Sequence, residues 1–294
     1  EADRLADDQG AAGAVDRHPR QDDDRPPTAR HHLQPGQHAR PVGGQPPRPV
    51  GVGVVSVGGG PGGRVDHQAV AVVALATDFA LPVTATFMEG PPGTPAGMPT
   101  TLFDVSVAWG VALFLVLSAV FHWLVALPGV FGRYTTGLSE QHNYFRWAEY
   151  SLSSSVMIVL IAMLTGISDV AALIGIFAAN AAMILFGAIQ ERYERPGGSL
   201  WPFWLGCVVG IAPWLAVGVY LWSPGSSAEP PAFVYAIFVS LFAFFNIFAL
   251  NMWLQYRRVG RWRSYVFGER AYFMLSLVAK SALAWQVFAG TLAS

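Results

Sequence analysis

Lysine occurs once in this chain, at position 280, against 17 arginines. It lies within an apolar stretch, ten residues past Arg270. At 1.5 Å per helical residue it is roughly 15 Å from the charged end of that stretch, near the middle of a bilayer. A lysine at that depth costs at least about 2.5 kcal/mol unless it is paired or chemically changed, and it is too far from either end to snorkel. A desolvated amine is the side chain suited to forming a Schiff base with an aldehyde. A protonated Schiff base needs a buried counterion, and Glu149 is the best-placed carboxylate. The apolar run Tyr150 to Leu164 is too short to span alone, so its helix begins near Asn143 and Glu149 sits about two turns inside. A solvated carboxylate at a helix end is the plainer alternative for Glu149.

Other residues gather around this pair by helical spacing. Ser153, at i+4 from Glu149, is in reach of the carboxylate, and Ser276, at i−4 from Lys280, is beside the amine. Arg146 shares the Glu149 face, and its stem is expected to lead the guanidinium out to the cytoplasmic boundary. His122, six residues before Pro128, falls in the same half of the membrane. It suits either a proton-accepting role or a structural hydrogen bond to a neighbouring helix. Met157, Met183, Trp214, Phe242 and Phe245 would suit a polyene cavity or ordinary packing. Gly206-x-x-x-Gly210 permits close helix approach.

The elements that must position these residues are membrane helices. A 294-residue chain that is 53% hydrophobic and only 13% charged lacks the surface chemistry of a soluble globule. Its 18 Lys+Arg against 19 Asp+Glu leave a net charge of −1, which gives no basis for nucleic-acid binding. The single cysteine, Cys207, excludes a disulfide framework and a multi-cysteine zinc site, and no metal is expected. The averages hide two segments. Residues 1–66 hold 12 Gly, 9 Pro and eight Arg without one aromatic residue, and read as disordered or non-native sequence. Their start, Glu1-Ala2-Asp3, lacks the basic and apolar regions of a signal peptide. Every Phe, Trp and Tyr falls at or after Phe79, so residues 67–294 form the folded domain.

Segments of about 20 apolar residues, enough to cross a bilayer, recur at 105–127, 144–165, 169–189, 202–222, 232–254 and 271–292. A seventh, Gln68 to Leu81, reads as a truncated first helix. Cytoplasmic loops accumulate Arg and Lys. Alternate connections carry Arg133 and Arg146, then Arg192 and Arg195, then Arg257, Arg258, Arg261, Arg263 and Arg270, whereas 82–104, 166–168 and 223–231 carry none. Seven spans then place the N-terminus in the cytoplasm and the C-terminus outside. Six spans would keep the loop sidedness and move only the N-terminus.

Three stretches closely resemble the heliorhodopsins: Trp147-Ala-Glu149 through Met163, Asn180 through Gly187, and Gly268-Glu-Arg-Ala-Tyr with Ser276 through Gln286. Asp78-Phe-Ala-Leu-Pro82 and the Gly90-Pro-Pro-Gly93 loop also resemble them, and the likeness covers about 68–294. It implies an all-α, seven-transmembrane-helix, rhodopsin-like bundle of inverted orientation in the cell membrane, with a small β-structure in the first extracellular loop, here 83–104. It implies all-trans retinal bound to Lys280 as a Schiff base with Glu149 as counterion. The Ser153, Met157, Asn180, Met183, Ser276, Phe242 and Phe245 positions would line the pocket. It also implies a homodimer. One departure stands out. Where the family has a first-helix histidine, this chain has Val65, with His67 two residues out of register to pair with His122. Residues 1 to about 66 are therefore expected to be a mis-called or frame-shifted start.

The function expected is light sensing, with a Schiff-base proton moving in the Glu149–His122 region and helix shifts relayed to an unknown partner. The alternative is a light-driven or light-gated ion transporter. A pump needs proton groups on both sides of the Schiff base. After Glu149 the third helix has no carboxylate until Asp169, and the path beyond the retinal reads as dry. An intramembrane lysine enzyme would need convergent catalytic groups that the chain lacks, so no enzyme is expected.

Overall fold

The computed structural model describes residues 61–74, 78–222 and 229–293, with side chains described from Gln68 to Gly290 within that set. The expectations for residues 1–60 and for the side chain of His67 lie outside the described residues. The chain order is α1 (Pro61–Ala74), β1 (Ala80–Ala85), β2 (Thr100–Ser106), α2 (Val107–Ala126), α3 (Pro128–Ser139), α4 (Tyr144–Leu164), α5 (Val170–Tyr193), α6 (Trp201–Trp222), α7 (Ala232–Tyr256), a 3-10 turn (Gly260–Arg263) and α8 (Tyr265–Ala293).

Among the described residues six helices, α2 and α4 to α8, are long and apolar enough to cross a membrane. Apart from the mostly buried α4, each also turns a row of large apolar side chains outward, such as Val116 and Val120 on α2 and Val208, Ile211 and Leu215 on α6. In water such a surface would drive aggregation; in lipid it is the natural outer face. Inside, Phe114, Leu115, Ile158, Ile161, Ile237, Leu241 and Leu283 are fully buried and join α2, α4, α7 and α8 in one core. A second apolar cluster, Trp147, Leu200, Phe203, Met252, Tyr256 and Tyr272, lies separately from it.

The first helix departs from expectation. The apolar run Gln68–Leu81 is not one helix: α1 starts at Pro61 and ends at Ala74, and Ala80 and Leu81 belong to β1. The boundary expected at residue 66 therefore falls within α1. Its 14 residues reach roughly 21 Å at 1.5 Å each, short of the ~30 Å hydrocarbon thickness. It packs on α2 and α8, and Ser281 Oγ donates to Gln68 Oε1 at 2.9 Å, one residue from Lys280.

Local chemistry explains where the spans begin and stop. The Asn143 side chain accepts from Arg146 N at 3.1 Å and caps α4, and Asp169 Oδ1 accepts from Ala171 N and Ala172 N to cap α5. After α4, Gly166 adopts φ +96°, Gly166 N donates to Met163 O, and Ile167 N donates to Ala162 O. This is a Schellman stop, which needs the left-handed residue that glycine supplies. Pro128 opens α3, a short helix not foreseen from the hydropathy pattern because it is too short and polar to span.

The two ends of the bundle differ. At one end β1 and β2 pair antiparallel with an irregularity between Val83 and Thr84, and Thr84 N donates to Ser168 O at 2.8 Å. That is the β-structure expected near 83–104, begun three residues earlier. At the other end the arginine-bearing connections meet one another: Arg195 Nη1 donates to Glu140 O at 3.0 Å, Arg192 Nη1 to Tyr144 Oη at 2.7 Å, and Gly197 N to Tyr256 O at 2.8 Å.

Candidate functional site

Lys280 on α8 and Glu149 on α4 are each 4% exposed and form a direct ion pair, Nζ to Oε1. The pairing answers the cost of a buried lysine, since a charge out of water is tolerated only when paired and hydrogen-bonded. Lys280 Nζ also donates to Ser118 Oγ of α2 at 2.9 Å, and it lies 5.5 Å from the centre of the Tyr150 ring. Three helices thus converge on one amine. The serine beside it is Ser118 and not Ser276, which is buried on α8 but is not among the hydrogen-bond partners of the amine. Nor does Ser153 bond Glu149: its hydroxyl is fully buried and has no hydrogen-bond partner among the described residues.

His122 is one link away. Its Nδ1 lies 2.7 Å from the carbonyl of Ser118, and its ring meets Phe273 edge-on at 5.4 Å. A histidine at i+4 from Ser118 was legible by spacing, but the Ser118 contact to Lys280 was not, because it joins residues on different helices.

The aromatic positions divide. Trp214 is buried and meets Phe238, Phe242 and Phe245 edge-on at 5.2 to 5.5 Å. Met157, Trp214 and Phe245 belong to the core that also contains Ala279 and Leu283 of α8. Phe242 is 43% exposed, so it forms the outer side of this aromatic group and not an enclosed wall. Met183 packs on α6, where a Cβ at Gly210 would collide with its side chain, so the Gly206/Gly210 pair serves contact within the bundle. Asn180 is buried with its amide on two α4 hydroxyls, Ser154 at 2.8 Å and Ser155 at 3.0 Å. It joins α5 to α4 through polar groups.

A second buried polar group was missed from sequence. Arg146 does not lead out to a boundary: it is buried, with Nη2 2.8 Å from Glu191 Oε1 and 3.2 Å from Glu269 Oε1. Its guanidinium lies over the rings of Tyr272, at 3.9 Å, and Trp147, at 4.2 Å. Glu191 also accepts from Asn143 N at 2.9 Å, Trp147 Nε1 at 2.5 Å and Tyr265 Oη at 2.9 Å, while Asn143 Nδ2 reaches Glu269 Oε2 at 2.6 Å. Outside the spans, the Tyr134 hydroxyl on α3 is pushed above its ordinary pKa by burial, with the Glu269 charge adding and Arg146 opposing. The arginine side of the lysine is therefore polar, whereas the path that reads as dry in the sequence is the one from Glu149 toward Asp169. A spacing signal was present: Glu269, Tyr272, Ser276 and Lys280 fall on one face of α8, and Asn180, Gly187 and Glu191 on one face of α5.

A multi-pass bundle of apolar helices with a lysine and a carboxylate paired in its core defines a class of membrane protein built around a buried amine. The family model for heliorhodopsins matches residues 65–292, and the chain belongs to that family. No curated protein matches it. As a member, the chain is a retinal-binding, light-sensing protein of the lipid bilayer, in a family that is not one of enzymes. The residues present fit the chromophore. The amine is buried beside a carboxylate and a hydroxyl, Ser153 offers an unpartnered hydroxyl one turn from Glu149, and an apolar core with Met157 and Trp214 continues from them.

Proposed function

We propose that Lys280 carries all-trans retinal as a protonated Schiff base, that Glu149 is the counterion, and that the protein is a light sensor that does not pump ions. The buried Lys280–Glu149 pair with Ser118 is the observation that supports this most directly. The ammonium of Lys280 stands where the protonated Schiff-base nitrogen would be; that nitrogen carries a single N–H, and Glu149 and Ser118 are the acceptors within its reach. Retinal supplies light absorption and isomerisation when bound. Glu149 balances the positive charge, and Ser118 accepts a hydrogen bond from the free amine. His122, held on the Ser118 carbonyl, is the nearest imidazole able to take a proton released from that pair. Ser153, Ser276, Met157, Trp214 and Phe245 are proposed to bound the chromophore, with Asn180, Met183 and Phe242 shaping its outer side.

Ion transport has one specific observation in its favour, the buried Glu191 and Glu269 on the arginine side. Toward the hairpin end, α4 offers no carboxylate after Glu149, and the next, Asp169, is used to cap α5. A through-path would need proton groups on both sides, so sensing is the better reading. The arginine-rich end is proposed to be cytoplasmic, placing the N-terminus inside and the C-terminus outside. A homodimer and an unidentified signalling partner complete the proposal.

Reconstitution with all-trans retinal should give a visible band that hydroxylamine bleaches and that Lys280→Ala does not form. A light-driven pH change or photocurrent abolished by Glu149→Gln would overturn the sensory reading.

A further inference from the structure

Away from the lysine, the three arginine-bearing connections converge on one recess of about 150 Å³, lined by Gln141, Pro196, Gln255, Arg258, Trp262, Arg263 and Tyr265. Cavities of this size take a benzene-sized guest, so it has room for a molecule of five or six heavy atoms. Two arginines, Arg258 and Arg263, are among its lining residues. Neither Arg258 nor Arg263 has a carboxylate partner among the described residues; the one bond recorded between them runs from Arg263 Nε to the Arg258 carbonyl at 3.2 Å. Gln255, a residue only 4% exposed, also lines the recess, and its side-chain amide makes no hydrogen bond among the described residues. The backbone is also committed here: Gln141 at φ 62° and Arg258 at φ 54° are the two non-glycine residues with left-handed conformations among those described, and both line the recess.

We infer that this recess is a binding site for a phosphate group, with Arg258 and Arg263 pairing its charge and the Gln255 amide donating to it. Planar guanidinium forks are suited to phosphate oxygens. Tyr265 lines the recess and also donates to Glu191, so one residue connects the recess to the buried Arg146 group. The site stands on the recess alone and does not depend on the chromophore assignment. The phosphate can come from a free ion or from a lipid headgroup, and both are read in one experiment. The full chain is placed in phosphatidylcholine nanodiscs and titrated calorimetrically with inorganic phosphate against chloride at matched ionic strength. In parallel, thermal unfolding is compared between phosphatidylcholine and phosphatidic acid nanodiscs. Arg258→Gly/Arg263→Gln is the test variant, chosen because glycine adopts φ 54° without strain; Gln255→Met removes only the amide. Saturable phosphate binding, weakened at least tenfold in the double variant and also weakened by Gln255→Met, supports a free-ion site. No phosphate heat, but phosphatidic acid stabilisation lost in the same variants, supports a headgroup site. Absence of both effects, or either effect unchanged in the double variant, overturns the proposal.

Discussion

Ser118 and Lys280, 162 positions apart in sequence, meet at 2.9 Å, and the same serine presents its carbonyl to His122 at 2.7 Å. One residue of α2 thus links the amine of α8 to the one described histidine close to it. A hydrogen bond to a charged group contributes about 1.5–3 kcal/mol. Ser118→Ala is expected to lower the stability of the retinal-free protein by that amount, and Ser276→Ala by less, as measured by thermal unfolding in detergent.

Glu149→Gln leaves Lys280 buried without its countercharge. Breaking a buried ion pair from one side costs about 3–5 kcal/mol, whereas replacing both partners by apolar groups is often neutral. Lys280→Met should be destabilising alone, and Glu149→Leu/Lys280→Met should recover most of the loss. A double-mutant cycle on unfolding midpoints reads the coupling directly; additive losses would show that the pair does not hold the helices.

Arg146→Met is expected to be at least as damaging, about 3–5 kcal/mol, because it leaves Glu191 and Glu269 facing each other in the interior. Adding Glu191→Gln and Glu269→Gln should restore much of the stability. Unchanged unfolding of the single variant would mean that the guanidinium is not the centre of this group.

Gly187→Ala tests the α4–α5 contact. A Cβ there would fall 2.6 Å from Trp147 Cη2, and the same indole donates to Glu191. Overpacking of this kind costs about 1–3 kcal/mol. The expected result is a lower unfolding midpoint with a shifted tryptophan emission, while Gly175→Ala, which meets nothing within 4 Å, stays neutral.

Much of this molecule was legible from one-dimensional spacing. The six spans and the burial of Lys280 inside the last of them follow from helix rise and bilayer thickness, which depend only on distance along the chain. The end of the first helix was misjudged because hydropathy does not distinguish an apolar helix from the apolar start of a strand: Ala80 and Leu81 are as apolar as the residues of α1 but pair with Ser106 and Val105. Arg146 was misread for a related reason. A long basic side chain near a helix end looks the same whether it reaches solvent or turns inward, and the deciding acids are supplied by α5 and α8.

By itself the sequence determined that a single amine would be buried in a membrane bundle and named the carboxylate able to balance it, because burial cost leaves so few charged residues at depth. Only the tertiary structure decided that Ser118, not Ser276, meets the amine, that Ser153 does not bond Glu149, and that Glu191 and Glu269 close on Arg146. The reason is physical. Spacing along one helix fixes which residues share a face, whereas the partner of that face is set by how helices distant in sequence rotate and pack together.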